Sequence, residues 1–378
     1  MKKQPGIQAK HPEQKKLSAA ARNKALKEGV GKVTLQNRKM DVIFISNRVT
    51  NAAYNYTLFE EKILNYLLFG LQQAVRANMN GNNHRQLDLF ANSKDYISLE
   101  IPMNEITKPD QYRELRAAVV NMGKTEVHIY RHTEKLHKTI YLFRGTSTWS
   151  ADERSNTMIV DITHEVADLL IEVDKNRMGK PMHYTSFFLE VANSFSNKYG
   201  SRIYKLISGW KEKGGFYISM DDMRKKLGLE NKYPRYSDFK KNVLLPVQHE
   251  LESDKQDCWY DCTDPGFEVK EGRNVTGLNF KVITPAYEEH RQRKIEHFKA
   301  LFIEHFGFRA KHLSAMEPVF ANRTLDFDWM LKETFRLKDY CHEKRSKIKD
   351  RAAYVQETLL RIFSEVPGKR GKEPADAT

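Results

Sequence analysis

The chain of 378 residues is basic: 63 Lys and Arg stand against 49 Asp and Glu, giving a formal net charge of +14. Hydrophobic residues make up 40% and charged residues 30%, a composition typical of a soluble protein with two or three folded domains. No apolar run approaches the roughly 18 residues of a membrane-spanning helix, and the lysine-rich start lacks the apolar segment of a signal peptide. Three cysteines cannot build a disulfide framework, which favours a cytoplasmic location.

Much of the charge lies in residues 1–38, which carry ten basic and two acidic side chains. This segment has too few apolar side chains to offset the entropy of ordering, so we predict a flexible basic arm. Residues 367–378 are predicted to be disordered for the same reason. The excess of positive charge favours a polyanionic partner, with nucleic acid as the first candidate. A merely solubilising terminus would carry the same charge.

A first unit is predicted over residues 39–178. Its strongest signal is the capping box formed by Thr57 and Glu60 before a run of apolar residues at helical spacing. The pattern predicts, in order, a helix from Thr57 to about Ala77, a strand over 96–101 ended by Pro102, a helix from about Pro109 to Gly123, and a hairpin made of runs 126–131 and 139–144.

A second unit, residues 179–284, repeats this order. Phe239, Val243, Val247 and Leu251 recur every four residues, so we expect them to share the buried face of one helix. The remaining elements predicted here are a helix from Thr185 to about Trp210, a strand over 216–219, a helix starting at Ser219, a second one opening at Pro234, and a hairpin joining 258–263 to 277–284.

Helices followed by a β-hairpin are the plan of a winged helix, in which one helix enters a major groove and the wing lies along phosphate or minor groove. The sequence therefore predicts an α+β chain of two tandem winged-helix domains. Residues 285–366 follow as a helical C-terminal extension, with candidate helices at 286–306, 325–340 and 344–364.

The candidate DNA-reading residues lie at the start of the helix after Pro234. Arginine pairs with guanine and asparagine with adenine in the major groove, while lysine neutralises phosphates. A solvated charged helix face would show the same pattern. The candidates in the second unit are Arg235, Tyr236, Ser237, Lys240, Lys241 and Asn242 on the helix, with Lys270 and Arg273 in the wing.

Residues 40–284 resemble the plasmid replication initiators of the iteron-binding type, which have two winged-helix domains. The most specific segments are Ser201–Leu206, Phe216–Ser219, Leu227–Leu229 and the run from Tyr233 to Pro246. The resemblance implies that these segments form the DNA-reading core of the second domain. It also suggests Tyr112, Arg113 and Arg116 as DNA contacts in the first domain.

The resemblance further implies a non-enzymatic, cytoplasmic and plasmid-associated protein that binds double-stranded direct repeats at an origin. Such a protein promotes opening of adjacent A·T-rich DNA and recruits a host replication initiator and the replicative helicase. Monomers would initiate replication and homodimers would repress the protein's own gene, with the first domain mediating dimerisation and phosphate contacts. No catalytic residue, metal site or cofactor is expected.

Two other functions remain open. An initiator-primase would use Asp326 and Asp328 as metal ligands, although both residues also suit a helix start; truncation after Pro285 would then abolish nucleotide incorporation. A plain transcriptional repressor would bind inverted half-sites instead of direct repeats. Cys258 and Cys262 are interpreted as buried thiols, since no second pair completes a zinc site.

Overall fold

The computed structural model describes residues 32–35, 38–80, 96–131, 136–141, 148–149, 156–253, 256–322, 325–344 and 348–364. Most of the predicted basic arm and all of the predicted disordered tail lie outside these residues. Five residues assigned to the arm are in strands: Lys32–Leu35 form β1, and Arg38 is the first residue of β2. No helix of the described ranges combines the length and apolarity needed to cross a membrane.

The first unit is a mixture of short helices and antiparallel strands. It contains β1 (Lys32–Leu35), β2 (Arg38–Ser46), α1 (Asn47–Thr50), α2 (Leu58–Gly70), α3 (Gln72–Met79), β3 (Tyr96–Pro102), α4 (Met103–Ile106), α5 (Tyr112–Met122), β4 (Glu126–Arg131), β5 (Leu136–Tyr141), β6 (Thr148–Trp149), β7 (Thr157–Thr163) and α6 (His164–Ile171).

The second unit and the C-terminal region contribute the remaining elements. These are β8 (Tyr184–Phe188), α7 (Leu189–Ser194), α8 (Gly200–Ser208), β9 (Gly215–Ser219), α9 (Met220–Lys226), α10 (Tyr236–Phe239), a π-helical turn (Lys240–Leu244), α11 (Leu245–Ser253), β10 (Glu268–Glu271), β11 (Asn274–Lys281), α12 (Pro285–Phe306), α13 (Ala310–Ala321), α14 (Phe327–Glu343) and α15 (Arg351–Ser364).

The predicted capping box is confirmed at the start of α2. The Thr57 backbone N–H donates to Glu60 at 2.7 Å, and the Glu60 N–H donates to the Thr57 hydroxyl at 3.4 Å. The prediction of one long helix was wrong, because the helix ends at Gly70 and restarts at Gln72. The turn brings the Gln72 amide to β2, where it exchanges hydrogen bonds of 2.8 and 3.0 Å with the Phe44 backbone.

The predicted helix from Thr185 to Trp210 was also wrong. Its first part is β8, which pairs antiparallel with Val42–Ser46 of β2 and alternates between buried and half-exposed residues. The partner of this strand lies about 140 residues earlier in the chain. Local sequence patterns do not report such a distant pairing. The helical remainder is split into α7 and α8, because the extended backbone of Phe195 ends α7.

The wing differs from the predicted hairpin. It is formed by β10 and β11, joined at Gly272–Arg273, and β9 completes a sheet with the order β10–β11–β9. Gly272 has a φ of 64°, a left-handed conformation that favours glycine. The segment over 258–263 is instead irregular: residues 258–260 are all buried, and Trp259 makes one bridge, to Ile283. The prediction that Cys258 and Cys262 are buried thiols is confirmed.

Both winged-helix units share one hydrophobic core that runs from Met40 to Ile283, whereas Ile295–Phe363 form a second core in the C-terminal region. The C-terminal helices predicted from spacing are present. α13 was missed, since Pro318 lies inside it and proline normally argues against a helix interior.

The helix α8 packs against α1 and against α11 of the second unit, and all nine of its residues are buried. Lys205 donates to Glu61 at 2.8 Å and to Asn65 at 3.1 Å, and both charged side chains are almost fully enclosed. Arg202 stacks 3.5 Å above the Tyr54 ring.

Arg202 also joins the two units through their backbones. Its guanidinium donates to the carbonyls of Tyr54 at 3.0 Å and Ala52 at 2.6 Å in the first unit, and to the carbonyl of Lys226 at 2.5 Å in the second. Because a buried guanidinium needs several acceptors to offset its lost hydration, α8 fixes how the two winged helices meet.

We predict that Lys205→Met lowers the free energy of unfolding by about 3–5 kcal/mol, because it leaves the Glu61 carboxylate buried without its close cation. The double variant Glu61→Met/Lys205→Met should be less destabilised than Lys205→Met alone, since no charge of this pair is then orphaned. Urea unfolding followed by circular dichroism measures both.

The matched control for this prediction is Arg293→Met, which breaks an exposed pair with Glu289 four residues earlier on α12. It should cost below about 1 kcal/mol. If Lys205→Met proved as mild as Arg293→Met, the buried pair would not hold the junction together.

Candidate nucleic-acid interface

The candidate recognition helix comprises residues 236–253, that is α10, the π-helical turn and α11. Its predicted inward face is confirmed, because Phe239, Val243, Val247 and Leu251 have no exposed surface. The helix starts sharply, with Arg235 at its N-cap in an extended conformation. Position, burial and helix start therefore agree with the sequence prediction.

The opposite face of this helix is exposed at its N-terminal end. Arg235, Ser237, Lys241 and Asn242 are exposed to solvent, and the Asn242 amide donates to the Asp238 carbonyl at 2.8 Å. In a winged helix this end of the helix meets base edges. Guanidinium, hydroxyl and amide groups in one exposed cluster supply the donors and acceptors that major-groove recognition uses.

Lys240 differs from its neighbours, because it is half-buried and bound to the wing. Its ammonium lies 2.8 Å from Glu268 Oε1 on β10, and the other oxygen of Glu268 lies 2.8 Å from Lys270. The carboxylate thus connects the recognition helix to the wing. Lys240 was predicted as a phosphate contact, and the structure gives it a second task of positioning the wing.

The electrostatics at Glu268 confirm how closely this carboxylate is held. Burial by itself raises the pKa of Glu268, but hydrogen bonds from Lys240 and Lys270 outweigh burial and lower the pKa to about 2. Tyr236 is half-buried in the same place, and burial together with the neighbouring Glu268 raises its pKa. Tyr236 is therefore placed to support the helix–wing contact, while its predicted DNA contact is untested.

The wing residues chosen from the sequence lie on the observed hairpin. Lys270 is in β10 with 53% of its side chain exposed. Arg273 lies in the exposed turn, and Asn274 begins β11. Their location on a wing follows from the structure, and their contacts with DNA stay a prediction.

The first-unit candidates separate into two kinds. Tyr112 is only 4% exposed, and its hydroxyl donates to Asn156 Oδ1 at 3.3 Å. It belongs to the core of the first unit, so the structure gives it a packing role, and its DNA contact stays an untested prediction. Arg113 on the same helix is exposed and Arg116 is half-buried, which keeps Arg113 as the accessible candidate of α5.

The segment Ser201–Leu206 was expected in the DNA-reading core, and this expectation was wrong. The segment lies within α8, where every residue is buried. Its Arg202 and Lys205 resemble a surface face in the sequence, because their partner Glu61 lies more than 140 residues earlier. The sequence of this helix is amphipathic, with Arg202 and Lys205 on its polar face, so no local signal marked that face as buried.

Asp326 and Asp328 lie at a helix start, as one of the two sequence interpretations predicted. Asp326 caps α14, and its Oδ1 accepts the N–H groups of Asp328 at 2.9 Å and Trp329 at 3.0 Å. Among the described residues, no group of three or more His, Cys, Asp or Glu side chains is arranged to hold a metal ion.

Comparisons with known proteins agree with the geometry. The family model described as "Initiator Replication protein, WH1" matches residues 42–208, and "Initiator Rep protein, WH2" matches residues 219–282. The "PI protein" of Escherichia coli is 30% identical over 121 residues, which are 28% of this chain and 38% of that relative. The chain thus spans well under half the length of this curated relative. The WH2 match, residues 219–282, contains the whole recognition helix and the wing.

We predict that the helix–wing contact weakens in acid. Because the pKa of Glu268 is lowered from 4.5 to about 2, its stabilising contribution is fully present above pH 4.5 and is lost as the pH falls towards 2. The difference in unfolding free energy between the wild type and Glu268→Gln should be constant from pH 7 to 5 and shrink below about pH 4.5. Denaturant unfolding across this range measures it.

The control is Glu317→Gln in the separate C-terminal region. It removes a carboxylate that pairs with Lys299 and whose side chain is 57% exposed. Its effect should be small throughout. A wild-type-to-Glu268→Gln difference that grew on acidification would contradict the prediction.

Proposed function

The chain belongs to the family of initiator replication proteins with two winged-helix domains, and on this premise we propose that it binds direct repeats in duplex DNA at a plasmid origin and initiates replication there. The observation that carries the proposal is the exposed cluster at the start of the recognition helix, next to a wing held in place by Glu268. This arrangement suits one helix in a major groove with its wing on the flanking backbone.

The junction between the units supports a two-domain binding mode. Because α8 and Arg202 hold the two winged helices together, both are presented to DNA as one body. A rigid pair of winged helices reads two adjacent segments about one helical turn apart. We propose that the second unit selects the sequence and that the first adds phosphate contacts, with Arg113 as its accessible candidate.

The charge supports an electrostatic share of the affinity. With a net charge of +14, contacts to phosphate should release counterions, so the affinity falls steeply as salt rises. The basic residues 1–38 would add contacts that do not depend on sequence.

The steps that follow binding are proposed from the family. Bound copies promote opening of adjacent A·T-rich DNA and recruit the host initiator and replicative helicase, and a dimeric form represses the protein's own gene. In this scheme the chain catalyses no covalent step. The alternative of a plain repressor differs in its DNA site, since it requires inverted half-sites instead of direct repeats.

We predict that Arg235→Ala lowers affinity for the cognate repeat by about 1–3 kcal/mol and relaxes the preference at one base, because its guanidinium reads a base edge. Lys241→Ala should weaken binding to all sequences alike and reduce the salt slope by about 1, because its ammonium contacts phosphate. Lys332→Ala, which changes an exposed lysine of α14, is the control. Equal losses on cognate and scrambled duplex would contradict the role of Arg235, and a loss confined to the cognate duplex would contradict that of Lys241.

The proposed function itself is tested by fluorescence anisotropy at several salt concentrations. The probes are a duplex carrying direct repeats from the DNA beside the gene and a scrambled duplex of equal length. We expect the repeats to bind roughly 10³-fold more tightly or better, with the preference persisting as salt rises. Equal binding to both duplexes would reject sequence-specific recognition, and a preference for inverted half-sites would favour the plain repressor.

A further inference from the structure

The connection between α6 and β8, residues 172–183, forms a small β-hairpin of its own within the stretch that the WH1 family matches. Lys175 and Pro181 make an antiparallel bridge, and the Met182 N–H donates to the Asp174 carbonyl at 2.6 Å. We call this segment the linker hairpin. Its backbone is paired within itself, so it is a structured projection instead of an irregular loop.

The tip of the linker hairpin is held by Asn176. The Asn176 side-chain oxygen accepts the N–H groups of Met178 and Lys180, both at 2.9 Å. The Gly179 N–H closes the turn on the Asn176 carbonyl at 2.9 Å. Gly179 has a φ of 75°, as expected for a hairpin in which a left-handed residue follows the turn.

The base of the linker hairpin is attached to the first unit. Arg48 on α1 pairs with Glu172 at 3.4 Å and also with Asp174. The Asn47 N–H donates to the His183 carbonyl at 2.7 Å. These contacts neutralise the two acidic residues of the hairpin and fix its base.

The tip of the linker hairpin carries positively charged side chains and one exposed apolar side chain. Lys175, Arg177 and Lys180 are exposed, and no acidic residue occurs between positions 175 and 183. Met178 is 93% exposed, far more than the other large apolar side chains found at the surface of the described residues. A rigid, cationic hairpin with an apolar point has the shape and charge of an element that enters a nucleic-acid groove.

We propose that the linker hairpin is a further DNA-contact element, carried by the part of the chain that the WH1 family matches. Lys175 and Lys180 bind phosphates on either side of a minor groove, and the Arg177–Met178 tip enters that groove. Arginine is attracted by the negative potential of a narrow minor groove, and an apolar wedge there unstacks a base step and bends the duplex. Because the hairpin is already ordered, little conformational entropy is lost on binding. The inference rests on the proposed function, since it needs the protein to bind a duplex.

The test uses the full chain on the duplex of direct repeats, with affinity measured from low to high salt. Lys175→Gln/Lys180→Gln should reduce the slope of log K against log salt by about 2, because two phosphate contacts are lost. The matched control, Lys311→Gln/Lys332→Gln, removes two exposed charges from the C-terminal helices and should leave the slope unchanged.

The tip is tested separately by DNA bending, measured from the mobility of complexes in which the repeat is moved along a fragment. Met178→Ala should decrease the bend while leaving the salt slope unchanged. If the hairpin acted only through its charges, Met178→Ala would leave the bend unchanged as well. Circular dichroism melting should show that these surface variants remain folded.

The outcomes separate the two proposals. If the wild type shows no preference for the repeats, the proposed function fails. If the wild type prefers the repeats but Lys175→Gln/Lys180→Gln has the wild-type slope, the linker hairpin does not bind DNA and the inference is overturned. An unchanged bend in Met178→Ala would overturn the insertion of the tip.

Discussion

The arrangement of the two winged helices depends on a few charged groups that are almost fully enclosed in protein. Glu61, Lys205 and Arg202 lie at the centre of the molecule, where an unpaired charge is costly and a misplaced one cannot be relieved by water. Their geometry is satisfied only when α2 of the first unit and α8 meet at one angle. Apolar packing alone tolerates small shifts, whereas this network selects one relation between the units.

A second polar network continues from α8 towards the wing. The Tyr204 hydroxyl donates to Asp257 at 2.6 Å and accepts the Phe188 N–H at 3.1 Å, while Lys211 pairs with the other oxygen of Asp257 at 2.5 Å. Asp257 begins the buried segment that lies under the wing. The junction, strand β8 and the base of the wing are therefore joined by hydrogen bonds through one helix.

The candidate reading surface depends on the same principle at a smaller scale. Glu268 joins the recognition helix to the wing through its side-chain contacts with Lys240 and Lys270. It offsets the repulsion between two lysines that a DNA-binding surface brings together, and it fixes the wing relative to the helix. The exposed cluster formed by Arg235, Ser237, Lys241 and Asn242 keeps its side chains directed to solvent. Positioning and reading are thus performed by neighbouring residues of one helix.

The sequence by itself determined the elements whose signals are local. The capping box at Thr57, the fourfold spacing of Phe239, Val243, Val247 and Leu251, and the two-winged-helix plan could all be predicted, because helical periodicity and capping act over a few residues. The exposed candidates on the recognition helix followed from the same spacing. Local patterns therefore located the candidate helix and its exposed face, whose contacts with DNA stay a prediction.

Only the tertiary structure decided which polar residues support the fold and which are available to a partner. Arg202, Lys205 and Tyr112 have side chains typical of a DNA-binding surface, yet each is buried against residues far away in the chain. The strand β8 and the true wing were likewise set by pairing with distant or shifted partners. The physical reason is that the burial of a charged or aromatic side chain depends on what packs over it, and long-range packing leaves no periodic trace in the sequence.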